Sequence, residues 1–380
     1  LFFSCRNTKK QEIISQSFAE SYILYIGTYT EKEAHVDGKA EGIYIYRMDA
    51  KTGSLSYLNT SPPTVNPSYL DISNDGKYLY SVNETGGDSN AGRVSAFRII
   101  NDYAGLEFIN QVSSEGESPC FIEADKNGHF VLTANYGTGN VSLIPVNTDG
   151  SLEMPTYTHQ HEGKGITTRQ ESAHAHCIRI SPDGNFVYSS DLGTDKVYVY
   201  KVTGNTLEQS RFYQATPGSG PRHLAFHPSK YIVYSINELN GTIDCLHRDT
   251  ISGELKRFQT VSTVSDDKGS QAGSADIHIT PSGEFLYATN RGDLNNIAVF
   301  RVNNQTGELN LVTYQPVKGN TPRNFAIDPS GTFLLVANQN SDKIVTFRID
   351  PVTGRLAETG IETKIPTPVC IKFLPSHLQL

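Results

Sequence analysis

SADIHITPSGEFLYATNRGDLNNIAVFRVNNQTGEL, residues 274–309, decides the architecture. ADIHIT is a short strand running into a Pro-Ser-Gly turn, FLYATN and NIAVFRV are strands rich in aromatic and β-branched residues, and a Thr-Gly pair stands before Leu309. The unit repeats along the chain. YLYSVNE ending at Glu84, FVLTANY at Tyr136, FVYSSDL at Leu192, IVYSINE at Glu238 and FLLVANQ at Gln339 copy its second strand, and YILYIGT ending at Thr28 supplies the seventh. GIYIYRM, RVSAFRI, NVSLIPV, KVYVYKV, TIDCLHR and KIVTFRI copy its third. A Gly closely followed by Leu marks the units at Gly53/Leu55, Gly105/Leu106, Gly150/Leu152, Gly204/Leu207, Gly253/Leu255, Gly307/Leu309 and Gly354/Leu356, a period of about 45 to 55 residues. The expectation is an all-β, seven-bladed β-propeller with four-stranded antiparallel blades. Counting strands A to D outward from the axis, the first blade takes B, C and D from the N-terminus. Its strand A is PVCIKFL, from Pro368, so the C-terminal strand closes the ring. Residues 21–380 then form one propeller behind a tail of residues 1–20.

Composition narrows the partners. The 380 residues carry a net charge of −8 with no basic stripe, which argues against nucleic acid. No apolar run is long enough for a membrane-spanning helix. The absence of Trp argues against the WD-repeat class of propeller. Cys120, Cys177, Cys245 and Cys370 fall on strands and read as buried free thiols, which makes a reducing, cytoplasmic setting the default expectation. Cys5 offers an alternative: LFFSC followed by RNTKK looks like the cut end of a lipoprotein signal, which would anchor the protein outside the cytoplasm.

The repeat brings two columns of residues to one face, where each strand A begins and each strand B ends. The first column reads Ser68, Cys120, His176, Arg222, Ala275, Arg323 and Val369; the second reads Glu84, Tyr136, Leu192, Glu238, Arg291 and Gln339. Positions that only pack should repeat their residue type. Here charged and titratable groups appear in some blades and not in others, as one asymmetric pocket on a symmetric frame requires. Residues 159–176, HQHEGKGITTRQESAHAH, form the longest polar connection between blades, and loops of that length are usually functional or mobile. The pairs His159/His161 and His174/His176 hint at metal, but no Cys or Asp completes a ligand set, so neither metal nor cofactor is expected. Residues 28–41 and 84–93 are read as two further long loops on the same face.

RQESAHAH, GPRHLAFHP followed by INEL, SADIHITPSGEFLYATNRG and TPRNFAIDPSG resemble the lactonase family of seven-bladed propellers, which includes propeller-type 6-phosphogluconolactonases and fungal carboxymuconate cyclases. The resemblance runs from about Tyr22 to Leu374. It implies a catalytic set of His174 or His176, Arg222, Glu238 and Arg291, the same positions the two columns single out; register with Arg222 favours His176. It also implies a small sugar lactone as the substrate, phosphorylated in the bacterial members.

The chemistry agrees. Lactone hydrolysis needs an activated water, a clamp on the carbonyl oxygen and a proton for the leaving alkoxide. Glu238 or His176 is the candidate general base. Arg222 and Arg291 are candidate oxyanion donors. Arg169, Lys164 and Arg323 are candidates for a 6-phosphate, with His174, His223 and Glu84 as further substrate contacts. A Glu beside Arg stays ionised, which suits a base. The chain has no Gly-x-Ser-x-Gly elbow, so direct attack by water is preferred to a covalent route. The same cations would serve a cyclase acting on carboxylates. A non-enzymatic binding propeller would instead show aromatic anchors along a rim.

Overall fold

A computed structural model of the chain describes residues 20–33, 36–87, 92–265 and 272–378. Seven four-stranded antiparallel sheets succeed one another around a central channel. Pro368–Phe373 pairs with Ser21–Thr28, Leu24 opposite Phe373 and Gly27 opposite Cys370, and Tyr44–Asp49 and Leu55–Thr60 complete blade 1. The ring is therefore closed by the C-terminal strand. Cys5 and the rest of the first nineteen residues lie outside the described part.

Burial falls from the axis outward. The second strand Phe130–Asn135 of blade 3 is buried throughout, whereas the outer strand Thr206–Gln214 of blade 4 is mostly exposed. Uniform burial on both faces explains why the second strands read as continuous apolar runs and the outer ones as mixed sequence. No helix among the described residues is long and apolar enough to cross a membrane. Cys120, Cys177, Cys245 and Cys370 are free and buried.

The Gly echo has a mechanical cause. Gly354 turns between the third and fourth strands of blade 7 with φ +72°, and a Cβ there would lie 2.2 Å from the Phe285 ring of blade 6. Its carbonyl accepts the hydroxyl of Tyr287 at 2.8 Å, and the same bond joins Tyr234 to Gly307 at 2.8 Å and Tyr188 to Gly253 at 3.0 Å. These three turns are thus locked onto the preceding blade, which needs a residue without a side chain.

Two loop readings change. Within residues 28–41 the chain makes a small hairpin, Lys32–Glu33 against Val36–Asp37, because Val36 is apolar and buries itself in a cluster with Tyr29 and Val369. Of residues 84–93, positions 88–91 lie outside the described part. His159 belongs to the outer strand Tyr157–Gln160 and His176 to the inner strand Ala175–Ile180, which leaves 161–174 as the connection.

Gly354→Ala should combine left-handed backbone strain with overlap against Phe285. We expect a loss of roughly 2–4 kcal/mol of stability in denaturant unfolding, with the fold retained.

Candidate active site

A local irregularity builds the site. In blades 3, 4, 5 and 7 the inner strand carries a bulge at its start: Ala175 pairs with Asp191 and Cys177 with Ser190, skipping His176, and the register likewise skips Cys120, Arg222 and Arg323. A bulge leaves the extra residue unpaired and re-aims its side chain. Three of the four, Cys120, His176 and Arg323, line the cavity at the head of the channel, and Arg222 lies just beneath it.

Above them is a cavity of about 700 Å³, lined by Tyr136, Arg169, His176, Glu238, Arg291 and Arg323, with Glu84 and Cys120 at its floor. Glu238 directly follows the strand Ile232–Asn237 and holds three guanidinium groups. Its Oε2 lies 2.8 Å from Arg222 Nε and 2.9 Å from Arg291 Nη2, and its Oε1 is 3.2 Å from Arg169 Nη2. Arg169 also donates to the Tyr136 hydroxyl at 3.0 Å. Across the cavity Glu84 accepts from Ser68 Oγ and lies 3.6 Å from Arg323, whose guanidinium sits 5.6 Å above the Tyr29 ring. Four guanidiniums therefore face two carboxylates in a chain that is acidic overall.

The field is felt in the proton affinities. Burial opposes ionisation of Glu238, but Arg291, Arg222, Arg169 and Arg323 outweigh it and pull its carboxyl down to about 2. Burial and then Arg222, His223 and Arg323 push His176 well below the ordinary imidazole value, so it is neutral near pH 7. His176 Nδ1 lies 3.7 Å from Cys120 Sγ, and Nε2 has no hydrogen-bond partner among the described residues. Burial keeps the Cys120 thiol protonated. Burial also lowers Arg291 to about 10, with the Glu238 attraction only partly offsetting it.

The sequence-derived set divides in space. His176, Glu238, Arg291, Arg323, Arg169 and Glu84 come together around the cavity. Arg222 is 1% exposed and lies one layer beneath, where with His223 it lines a much smaller void. His174 stacks on Tyr136 with ring centres 4.5 Å apart, and its Nδ1 meets the Tyr136 carbonyl at 2.9 Å, so it supports the cavity wall from behind. Lys164 is exposed and away from the cavity lining: Gly165 N donates to Gln170 O, and the tight turn around buried Gln170 throws residues 162–164 outward while directing Arg169 inward.

His159 and His161 are occupied by structure. His161 is buried between Asp191 at 2.7 Å and the Tyr200 hydroxyl at 2.7 Å, and His159 meets the same hydroxyl at 3.0 Å. Among the described residues no cluster has the makings of a metal site. Sequence reading missed Asp195. Its Oδ1 accepts from Gln170 Nε2 and Gly220 N, both at 2.8 Å, and its Oδ2 from Gly218 N at 2.7 Å, so one carboxylate ties the loop bearing Arg169 to the loop before Arg222. Only its place in the turn after the second strand could have marked it.

A family model described as "Lactonase, 7-bladed beta-propeller" matches residues 23–373. The chain belongs to the lactonase family of seven-bladed β-propellers. It is 38% identical to the 6-phosphogluconolactonase of Bacillus subtilis over 353 residues, covering 93% of this chain and 98% of that one. It is 36% identical to the 6-phosphogluconolactonase of Formosa agariphila over 340 residues, covering 88% and 94%. The solved structure of a periplasmic gluconolactonase from Pseudomonas aeruginosa superposes with a TM-score of 0.87 at 34% identity, covering 93% of this chain and 99% of that one.

Glu238→Gln keeps the shape of the cavity but removes the counter-charge from three arginines. We expect a loss of about 3 kcal/mol or more, since an uncompensated buried charge is left behind. The sign with pH follows from the depressed value. Ionised Glu238 stabilises fully above its ordinary value of 4.5 and loses that effect as pH falls through about 2. The stability gap between wild type and variant should therefore widen from about pH 2 to about pH 5 and stay constant above, as read by unfolding at each pH.

Proposed function

We propose that the cavity hydrolyses 6-phosphoglucono-1,5-lactone to 6-phosphogluconate by direct attack of water. The observation that carries this reading is the surplus of guanidinium over carboxylate in a concavity of an otherwise acidic protein. A phosphate monoester brings between one and two negative charges at neutral pH, and guanidinium groups bind it with paired hydrogen bonds. Arg169, 55% exposed at the rim, and Arg323, on the opposite wall, are positioned to meet such an anion.

Of the two candidate bases, His176 takes the role. Both oxygens of Glu238 are engaged by arginines, and a carboxyl near 2 is too weakly basic to deprotonate water well at neutral pH. Glu238 instead fixes Arg291, which reaches the cavity and donates to the oxygen that becomes anionic as water adds to the lactone carbonyl. His176 Nε2 accepts the proton of the attacking water and returns it to the ring oxygen as the C–O bond breaks.

An anionic substrate also tunes this base. Burial, and then Arg222, His223 and Arg323, hold His176 neutral in the free protein; a phosphate bound beside Arg323 offsets part of the arginine contribution, which raises the imidazole's affinity for protons. A second reading, hydrolysis of the unphosphorylated gluconolactone, draws on the Pseudomonas neighbour, whose structure is described as that of a periplasmic gluconolactonase. It would leave the arginine surplus without a ligand.

Purified protein should hydrolyse freshly made 6-phosphogluconolactone well above the spontaneous rate, with or without chelator, and gluconolactone far more slowly. Equal rates on the two would transfer the assignment to the unphosphorylated substrate, and no rate on either would end the hydrolase reading. His176→Ala should lower kcat by roughly two to four powers of ten. In the pH profiles the acid limb of kcat, which reports the complex, should lie at higher pH than that of kcat/KM, which reports the free enzyme. Coincident limbs would remove His176 from the role.

A further inference from the structure

The motifs Pro221-Arg222-His223 and Ala275-Asp276-Ile277-His278 contain two residues, His223 and Asp276, that the chemistry above does not use. They form a buried line beneath the cavity. Arg222 donates Nη1 to the Ala275 carbonyl and lies 3.3 Å from His223 Nε2. His223 Nδ1 is 2.7 Å from Asp276 Oδ1. Asp276, 1% exposed, receives three donors at its other oxygen: Asn324 Nδ2 at 2.6 Å, His278 Nε2 at 3.0 Å and Phe325 N at 3.2 Å. Ile277 N donates to Oδ1 at 3.0 Å.

The proton on His223 is fixed by these contacts. A carboxylate facing Nδ1 requires N–H there, so Nε2 carries the lone pair, and a lone pair is what a guanidinium N–H needs. Burial, followed by the Arg222 charge, lowers His223 to about 4, which keeps it neutral and able to accept. We propose that Asp276 is a positioning residue: acting through the His223 tautomer, it holds Arg222 at the height and tilt at which its Nε meets Glu238 Oε2 and so fixes the arginine cluster above. Asp276 touches neither void, so its effect on turnover has to travel through His223. The proposal rests on the cavity being the hydrolytic site.

Asp276→Asn tests it without changing shape. The amide oxygen settles where three donors converge, which turns the NH₂ towards His223 Nδ1. His223 must then carry its proton on Nε2, and that N–H opposes the Arg222 N–H. His223→Gln places an amide oxygen near the position of Nε2 and makes an acceptor for Arg222 independent of Asp276. His223→Asn reaches only the Nδ1 position.

Steady-state kinetics on 6-phosphogluconolactone should show kcat of D276N reduced about 10- to 100-fold with KM little changed, because the cavity-facing Arg169, Arg291 and Arg323 remain. The D276N/H223Q double variant should exceed D276N in kcat by about tenfold, and H223Q should exceed H223N by a similar factor. ¹⁵N NMR should find the His223 proton on Nδ1 in wild type and on Nε2 in D276N. A double variant no better than D276N, an H223N equal to H223Q, or an unchanged tautomer in D276N would each overturn the proposal. If D276N does not fold, the H223Q and H223N pair decides. If wild type shows no turnover, the hydrolase reading fails, and the NMR comparison still decides whether Asp276 sets the acceptor that Arg222 meets.

Discussion

The inner strand of every blade is a sheet edge, and its outward-facing N–H groups have no partner strand. In blades 1, 3, 4 and 7 the preceding blade supplies an acceptor from its side chains. Ala124 N donates to Asp71 at 2.8 Å, Ile180 N to Glu123 at 3.2 Å, Phe325 N to Asp276 at 3.2 Å and Ile371 N to Asn324 at 2.8 Å. An unpaired buried N–H costs about 1–3 kcal/mol, so these acceptors are obligatory for the ring rather than ornaments on it. The consequence is a channel lined with carboxylates, each of which then needs a cation or a neutral hydrogen-bond donor. Arg179 serves Glu123, Lys372 lies 3.3 Å from Asp71, and His223 and His278 serve Asp276. The cationic cavity is the uppermost layer of a charge pattern that the frame already demands.

That layer differs from those below in its balance. Lower in the channel acids and bases answer one another, whereas at the top the arginines outnumber the carboxylates. A buried pair of opposite charges seldom adds net stability, and an excess of one sign subtracts from it. Arg291 bears part of that cost: burial and then the other arginines lower it to about 10, with the Glu238 attraction only partly offsetting them. An anion entering the cavity offsets the surplus, so stability forgone in the free protein becomes affinity for a negatively charged ligand.

The strands, their order and the closure by PVCIKFL were legible because alternation and the Gly-x-Leu echo record packing demands repeated seven times. The site was legible as columns, since charge that breaks a repeat stands out against it. Depth was not. Arg222 and Arg323 hold equivalent positions in their repeats, yet Arg222 is sealed beneath Glu238 while Arg323 reaches the cavity, and that difference is set by which carboxylate each finds. The bulges that re-aim Cys120, His176, Arg222 and Arg323 leave no mark in a single sequence, because the extra residue continues an ordinary strand pattern. Lys164 looked as suitable as Arg169 for an anion; five positions apart on one loop, they are separated by the turn that buried Gln170 pins to Asp195 and Leu192 O.

The next layer of the channel down is buried and partly aromatic. Tyr69 and Phe121 stack there with ring centres 4.2 Å apart, and His223 meets both edge-on at 5.9 and 5.4 Å. Cys177, Asp276, Asn324 and Cys370 complete that level from blades 4, 6, 7 and 1 and are buried. These buried groups lie beneath the cavity, whose rim carries the exposed Arg169. Charges set above a buried, water-poor layer are screened less than charges in bulk water, so the arginines act on an anion in the cavity at longer reach than they would on an open surface.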